Sequence, residues 1–415
     1  MSQLKSFSIY AISTFLNAAI SFLTFSLLTH HLNEVDYGII NLYNGFIIFL
    51  APFISVGVQF TLSVDYFKMD AATYRNHFTT SMVIPLAAFF IVTLLCIAFG
   101  GIIESFIQVG WLYVLIIPVL CFITTLNDIA LNLIRNKGSH YLFAGFSVVK
   151  NVVEIGLTIL FIIGLNHHWQ GRLNSNIITL AISLVVILFL FNKWKLLSGS
   201  YDKKDVKKVF FLSLPFVPER LAIFVLGYSD RFFINYYNGT DDVGFYSAGA
   251  QIALIVNLVI LTLINTFHPL LFRKLSEQDV NYSAIKKICY SYLGISIVIC
   301  LLLIIVTPLI FDIFIGPDFQ AGQVYAFNLI IGSFFWALYN LFLSFLLNHK
   351  RNKLIMVISI FAMALSLALN FFLVKNFGAL GATYTNILVY FSMAVFALFF
   401  VHKSYRLKFF LKPSI

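Results

Sequence analysis

The chain alternates between long apolar stretches and short polar segments along its whole length. Each apolar stretch is about 20 residues long, the length that an α-helix needs to cross a hydrocarbon core of ~30 Å. The pattern predicts an all-α integral membrane protein with twelve transmembrane helices. The predicted spans cover residues 7–28, 38–62, 79–103, 111–134, 142–165, 176–192, 209–228, 243–267, 288–311, 323–347, 354–374 and 379–401.

Composition and charge agree with a membrane protein. The sequence is 60% hydrophobic and 11% charged, whereas soluble domains are about half apolar and about a quarter charged. Most of the 27 lysines and arginines fall in segments that face the cytoplasm if the N-terminus does. This bias predicts a multi-pass protein of the bacterial cytoplasmic membrane with both termini cytoplasmic. The net charge of +10 is then explained by topology and by attraction to anionic lipid headgroups, without nucleic acid.

The first span differs from a cleavable signal peptide. It is too long for the core of a signal peptide, and no small-residue cleavage site follows it, so we expect it to remain as an anchor.

Motifs of enzyme chemistry are missing from the sequence. The four cysteines lie in or at the edges of spans, at spacings that match no metal motif. The sequence has no glycine-rich phosphate loop, zinc-binding helix or nucleophile elbow. We therefore expect no catalytic residue, metal or cofactor, with coupling to protons or sodium ions left open.

An internal repeat divides the chain. Asp36 and Gly38 recur as Asp242 and Gly244, at an offset of 242 − 36 = 206 residues. Two parallel repeats predict two pseudo-symmetric six-helix lobes around a central cleft, with alternating access. The predicted parts are an N-terminal lobe (1–191), a cytoplasmic linker (192–208), a C-terminal lobe (209–401) and a basic cytoplasmic tail (402–415).

The seventh span is unusual because it contains prolines and charges. Pro215 and Pro218 should weaken its first turns, and Glu219 and Arg220 follow directly. A bilayer tolerates such residues only where they face protein or a water-filled cavity, so we expect them to face the cleft. Consecutive helical residues point about 100° apart. Arg220 is therefore the better cleft candidate, while a hydrogen bond to helix one or two is an alternative for Glu219.

Three more ionisable residues lie within spans: Asp128, Lys150 and Glu154. A charge at a helix centre costs roughly 2.5–3.5 kcal/mol on the insertion scale, so each is a candidate for substrate binding. Two structural alternatives stay open. Lys150 and Glu154 are four residues apart and could form an ion pair with each other. Asp128 could instead make a hydrogen bond between helices.

Charges at the outer side have two interpretations. Asp230 and Arg231 lie at the outer end of helix seven, where a structural ion pair that locks the following turn is favoured over substrate contact. Arg172 is one of few outer-side cations. It could hold a pyrophosphate or an acidic sugar, or could serve as a helix cap or a headgroup contact.

The order of several short motifs resembles that of a known family. The motifs are Leu214-Pro215, Pro218, Asp230-Arg231, the turn Val243-Gly244-x-Tyr246, Gln251, Pro269 and Gly171-Arg172. In this respect the chain is similar to the Wzx-type O-antigen flippases, polysaccharide transporters of the multidrug/oligosaccharidyl-lipid/polysaccharide superfamily. The MurJ-type lipid II flippases of that superfamily are longer. The resemblance implies a transporter, not an enzyme, that moves an undecaprenyl-pyrophosphate-linked oligosaccharide from the inner to the outer leaflet.

Such a function has a direct physical logic. The dianionic pyrophosphate and the glycan cannot enter hydrocarbon, whereas the polyprenyl tail prefers it. A hydrated cationic cleft lets the head cross, and arginine suits pyrophosphate because its planar fork donates two parallel hydrogen bonds. Expected partners are the lipid-linked oligosaccharide, membrane lipids and other polysaccharide-assembly membrane proteins.

Competing functions predict different sequences. A cation-coupled multidrug exporter of the same superfamily should have a cleft dominated by acidic groups. A membrane glycan polymerase should present a large periplasmic loop. A non-transporting assembly scaffold explains neither the repeat nor the charges inside the spans.

Overall fold

A computed structural model describes residues 3–277, 281–349 and 351–405 as helices and short connections without strands. Residues 406–415 of the predicted basic tail lie outside the described residues. Sixteen α-helices follow one another along the chain: α1 Gln3–His31, α2 Glu34–Ser55, α3 Val58–Asp65, α4 Ala71–Ser81, α5 Val83–Ile107, α6 Trp111–Asn136, α7 His140–Ile159, α8 Trp169–Lys193, α9 Lys203–Ser213, α10 Phe216–Gly227, α11 Ser229–Tyr237, α12 Thr240–Leu275, α13 Tyr282–Phe314, α14 Gly322–Asn348, α15 Asn352–Phe377 and α16 Ala379–Tyr405.

The predicted number of spans is confirmed. Within the described residues, twelve helical segments are long and apolar enough to cross a membrane. Two of these segments join neighbouring helices, α4 with α5 and α9 with α10. Many large apolar side chains are exposed, such as Ile305 at 75%. Exposed apolar surface on this scale fits contact with lipid.

The helices form two compact units. The first unit comprises Met1–Leu32 and Ile39–Phe224, and the second comprises Asn33–Gly38 and Val225–Ile415. The predicted linker, residues 192–208, therefore lies within the first unit, together with α9 and most of α10. The division into two lobes of six helices each stays a prediction.

Three predicted spans, the second, the third and the seventh, are not single helices. The third, 79–103, is divided between α4 and α5. The second, 38–62, breaks at Val56 and Gly57, whose φ angles are +47° and +78°. Gly57 has a left-handed backbone conformation, which glycine adopts readily. A Cβ there would lie 2.7 Å from both Ser213 O and Phe216 Cβ. The missing side chain of Gly57 therefore lets the start of α10 approach the break between α2 and α3 closely. The seventh predicted span breaks before Phe216, where Pro215 follows the end of α9.

The segment that joins the predicted halves is bound along its length to α4. Gly199 N donates a hydrogen bond to Thr79 Oγ1 (3.1 Å), and Asp202 N donates one to Thr80 Oγ1 (3.1 Å). These bonds satisfy backbone groups that a free tether would leave to water. Residues 196–202 are thus docked on α4 instead of forming a loose tether.

A buried histidine reinforces this attachment. His77 of α4 is 4% exposed, and its Nδ1 lies 2.6 Å from Asp205 Oδ2 of α9. Its Nε2 lies 3.2 Å from Asp65 Oδ2 of α3, an electrostatic contact without hydrogen-bond geometry. One imidazole therefore connects α3, α4 and α9 within the first unit.

Each repeated glycine packs against the first residue of the other helix in the second unit. A Cβ on Gly38 would lie 2.0 Å from Thr240 O, and a Cβ on Gly244 would lie 2.0 Å from Glu34 O. The two contacts are reciprocal, since Glu34 and Gly38 sit at the start of α2 as Thr240 and Gly244 sit at the start of α12. The repeat found in the sequence thus forms a local pseudo-twofold crossing of two helix N-termini. The structural role predicted for Gly244 would have this close approach as its physical cause.

We expect Gly244→Ala to lower the stability of the protein, because a methyl group would collide with backbone that cannot rotate away. The expected cost is about 1–3 kcal/mol, the usual range for overpacking. Thermal unfolding of the purified protein in detergent measures it. Gly294→Ala in α13 is the matched control, since a Cβ there would have no neighbour within 4 Å. Equal melting temperatures for the two variants would contradict this account of the crossing.

Candidate functional site

Arg220 occupies an unusual environment in α10. Its guanidinium lies 4.7 Å from the ring centroid of Phe60, within the range of a cation–π attraction. Phe60 in turn stacks on Phe216, with centroids 4.7 Å apart. Among the described residues, no carboxylate lies within 4 Å of the Arg220 guanidinium. A half-buried guanidinium without an ion-pair partner can receive an anion.

Two further charges belong to the same environment. Asp128 of α6 interacts electrostatically with Arg220 and with Lys150 of α7. All three side chains are half-buried. We call Asp128, Lys150 and Arg220 the charged cluster, in which two cations face one carboxylate.

The interhelical hydrogen bond considered for Asp128 is made by its neighbour. Asn127 Nδ2 donates to Ser183 Oγ of α8 at 3.1 Å and to Ile123 O at 3.0 Å.

Glu154 pairs with Arg172 and not primarily with Lys150. Arg172 Nη2 lies 2.6 Å from Glu154 Oε1, and Arg172 Nη1 donates to Thr158 Oγ1 at 3.0 Å. Asn176 Nδ2 donates to Glu154 Oε1 at 3.2 Å. Lys150 exerts a further attraction on Glu154. Arg172 is therefore neutralised by a carboxylate between α7 and α8, which favours a structural role for it over a direct contact with substrate.

The other unusual residues of the seventh span are exposed. Pro215, Pro218 and Glu219 all have exposed side chains, while Arg220 is half-buried. The separate directions of Glu219 and Arg220 follow from their consecutive positions on a helix. Of the two residues, Arg220 belongs to the charged cluster and Glu219 does not.

A row of polar side chains between α1 and α7 was not singled out from the sequence. Asn17 Nδ2 donates to Ser147 Oγ at 2.5 Å, and Asn151 Nδ2 donates to Asn17 Oδ1 at 3.0 Å. The search for charges inside spans overlooks amides. Asn17 and Asn151 could have been found by treating asparagine at mid-span in the same way as an ionisable residue.

Asp230 and Arg231 form an ion pair in the second unit. Arg231 Nη1 lies 3.1 Å from Asp230 Oδ1, and Tyr246 donates a short hydrogen bond to Asp230 Oδ2. Arg231 also donates to Ser247 Oγ (3.1 Å) and to Gly227 O (3.0 Å). The pair therefore connects α10, α11 and α12 around the turn.

Aromatic rings enclose the Arg231 guanidinium. It lies 5.0 Å from the ring centroid of Tyr228 and 5.6 Å from that of Tyr246. Burial alone would lower the pKa of Arg231, but the Asp230 carboxylate and these tyrosines outweigh burial and raise it. The guanidinium thus stays charged, and its partners are groups of the protein itself.

A small polar pocket lies beside Asp230. Its volume is about 10 Å³, close to the space that one water molecule requires. Asn370 is 2% exposed, and its Oδ1 has no hydrogen-bond partner. The pocket is lined by Val225, Leu226, Asp230, Ser366, Asn370, Ala382, Thr385, Asn386, Val389 and Tyr390. Its oxygen atoms suit a small hard cation. No group of three or more His, Cys, Asp or Glu side chains able to hold a metal occurs in the described part of the chain.

The fold is shared with solved transporters. It matches the inward closed conformation of the lipid II flippase MurJ with a TM-score of 0.72 at 14% identity, over 94% of this chain and 87% of that one. It also matches an inward-facing multidrug resistance MATE family transporter of the MOP superfamily with a TM-score of 0.68 at 14% identity, over 94% and 96% of the two chains. At this identity the likeness shows the fold alone.

Sequence relatives are more specific. A protein of Shigella flexneri, whose name assigns it provisionally to O-antigen transport, is 27% identical over 204 residues, which is 48% of each chain. The chain spans about half the length of the curated relatives it matches. A family described as polysaccharide biosynthesis protein matches residues 3–275, which is more than half of the 415 residues. The chain therefore belongs to this polysaccharide biosynthesis protein family.

Proposed function

We propose that this protein is a flippase that moves an undecaprenyl-pyrophosphate-linked oligosaccharide from the inner to the outer leaflet of the bacterial cytoplasmic membrane. The observation that carries the proposal is Arg220, a half-buried guanidinium in a membrane span with no carboxylate within 4 Å among the described residues. An unpaired charge there is costly, and a pyrophosphate in transit would provide the missing partner. Membership of a polysaccharide biosynthesis family supports the same substrate class.

The charged cluster favours an anionic substrate over a cationic drug. Its formal charge is two positive groups, Lys150 and Arg220, against one carboxylate, Asp128. An exporter of cations would need the opposite balance. The fold does not separate the two functions, because the MATE transporter and MurJ both share it.

The proposed path of the substrate follows from its two-part chemistry. Arg220 would bind the pyrophosphate through two parallel hydrogen bonds, and Asp128 would keep Arg220 and Lys150 from binding it too tightly for release. The glycan would follow through the hydrated path, while the polyprenyl chain stays in lipid. Alternating access would expose the head first to the cytoplasm and then to the periplasm. The proposed orientation of the protein in the membrane places both termini in the cytoplasm.

We extend the proposal to coupling. The pocket beside Asp230 would take a sodium ion, since Asn370 Oδ1 is a buried acceptor without a partner. Tyr246 and Arg231 hold the Asp230 carboxylate at the pocket. Binding of a cation there would bias the second unit between two conformations. Other membrane proteins of polysaccharide assembly remain proposed partners.

Arg220→Ala should reduce export of surface glycan at least about tenfold, because charge-assisted hydrogen bonds are each worth about 1.5–3 kcal/mol. Arg220→Lys should retain part of the activity, since the charge remains while the fork is lost. The measurement is surface glycan, together with the lipid-linked oligosaccharide that accumulates in cells lacking the native gene.

The matched control for this experiment is Arg135→Ala. Arg135 also lies over an aromatic ring, with its guanidinium 5.1 Å from the centroid of Phe143, but it lies in the last turn of α6 and outside the charged cluster. Export by Arg135→Ala should be normal. Normal export by Arg220→Ala, at a normal protein level, would exclude the proposed role of Arg220.

Arg172→Ala should lower the protein level, because it leaves Glu154 buried without its partner, a change that typically costs about 3–5 kcal/mol. The double variant Glu154→Gln/Arg172→Gln should recover level and export, since no uncompensated charge remains. Quantitative immunoblotting of membranes measures the level. A double variant that is abundant but inactive would instead assign Arg172 a direct role toward substrate.

Sodium chloride should raise the melting temperature of the purified protein relative to choline chloride if the pocket binds sodium. A ligand at 100 times its Kd adds about 2.7 kcal/mol of stability. Asn370→Ala should abolish the difference without touching the Asp230–Arg231 pair. If the melting temperature of the wild type does not depend on sodium, the coupling site proposed here is wrong.

A further inference from the structure

An apolar groove runs along the first unit between α7 and α8. Its volume is about 320 Å³. Most of its wall consists of aliphatic and aromatic side chains, which suit a hydrocarbon chain. The lining residues are Tyr141, Leu142, Gly145, Phe146, Val149, Lys150, Val153, Thr179, Ile182, Ser183 and Val186.

The groove has a small number of polar groups. Lys150 is the one charged residue of its lining, and Thr179 contributes a hydroxyl. Thr179 is 2% exposed, and its Oγ1 has no hydrogen-bond partner. A buried hydroxyl without a partner is uncommon. An ammonium group beside an apolar wall fits an amphiphile with an anionic end.

Lys150 connects the groove to the charged cluster. It lines the groove and also interacts electrostatically with Asp128 and Glu154. It lies ten residues after His140, the first residue of α7, hence ~15 Å along the helix axis. This depth is about half of the ~30 Å hydrocarbon core.

We infer that the groove between α7 and α8 holds the polyprenyl chain of the substrate next to its phosphate while the head passes the charged cluster. This inference rests on the proposed flippase function. It identifies the place where the polyprenyl chain separates from the hydrated path of the substrate head. A resident phospholipid keeps its phosphate at the interface, so its charge would stay far from Lys150. Only a lipid whose head is in transit brings an anion to this depth.

Gly145 allows a direct test because it lines the groove and has open space around it. A Cβ at Gly145 would have no neighbour within 4 Å, and the same holds for Gly156 on the same helix, which does not line the groove. Gly145→Phe should therefore start without a clash at its Cβ and place a ring in the groove, and helix propensity rises on leaving glycine. Gly156→Phe is the matched control for size, helix and exposure.

The probe is undecaprenyl phosphate with a diazirine near its phosphate end, photo-crosslinked to the purified full-length protein in nanodiscs. Mass spectrometry should place the labels on peptides of α7 and α8. Labelling should fall by about tenfold in Gly145→Phe, the loss expected when about two methylene groups no longer find apolar contacts. Labelling of Gly156→Phe should equal that of the wild type.

Lys150→Gln isolates the contribution of charge. Labelling by the phosphorylated probe should fall in this variant, whereas labelling by the corresponding undecaprenol should not change. Equal loss with both probes would remove Lys150 from the recognition of phosphate.

Two outcomes would overturn the inference. One is labelling of Gly145→Phe at the wild-type level. The other is displacement of the probe by phosphatidylglycerol as efficiently as by unlabelled undecaprenyl phosphate, which would make the groove a general lipid site. These binding results do not depend on transport. Normal export by Arg220→Ala would count against the flippase function, whereas wild-type labelling of Gly145→Phe would count against the groove, so the two failures are distinguishable.

Discussion

The absence of water in the hydrocarbon core is the constraint on which this structure depends. A charge in a span has to be paired within the protein or has to face a hydrated path. The Glu154–Arg172 pair and the Asp230–Arg231 pair satisfy the first condition. Arg220 has its guanidinium over Phe60 and no close carboxylate in the described chain. The proposed function would satisfy the second condition for Arg220, with a hydrated path that carries the substrate head.

The breaks in the helices follow the same constraint. Gly57 interrupts the second predicted span and Pro215 the seventh, and these interruptions bring α3 and α10 together at the level of Phe60 and Phe216. Irregular backbone within a membrane requires protein contacts to satisfy its polar groups. Here the irregular backbone also positions Arg220, so the position of this member of the charged cluster depends on the helix breaks.

Much of the fold could be predicted from the sequence, because apolar length alone determines spans, and the repeat identified Gly38 and Gly244 before their contact was known. Tertiary pairings could not be predicted. Spacing suggested Lys150 for Glu154, whereas Arg172, on the next helix, is its closer partner. The docking of residues 196–202 on α4 depends on threonine side chains that carry no signal in a single sequence. The pocket beside Asp230 likewise combines polar residues from distant parts of the chain.

The most direct test of the central claim is transport by the purified protein in proteoliposomes. A fluorescent polyprenyl-pyrophosphate oligosaccharide and the cationic dye ethidium are offered in parallel, and the movement of each across the bilayer is followed over time. The account predicts that the lipid-linked oligosaccharide changes leaflet while ethidium is not transported. Transport of ethidium without movement of the lipid-linked oligosaccharide would contradict the account and make the protein a multidrug exporter.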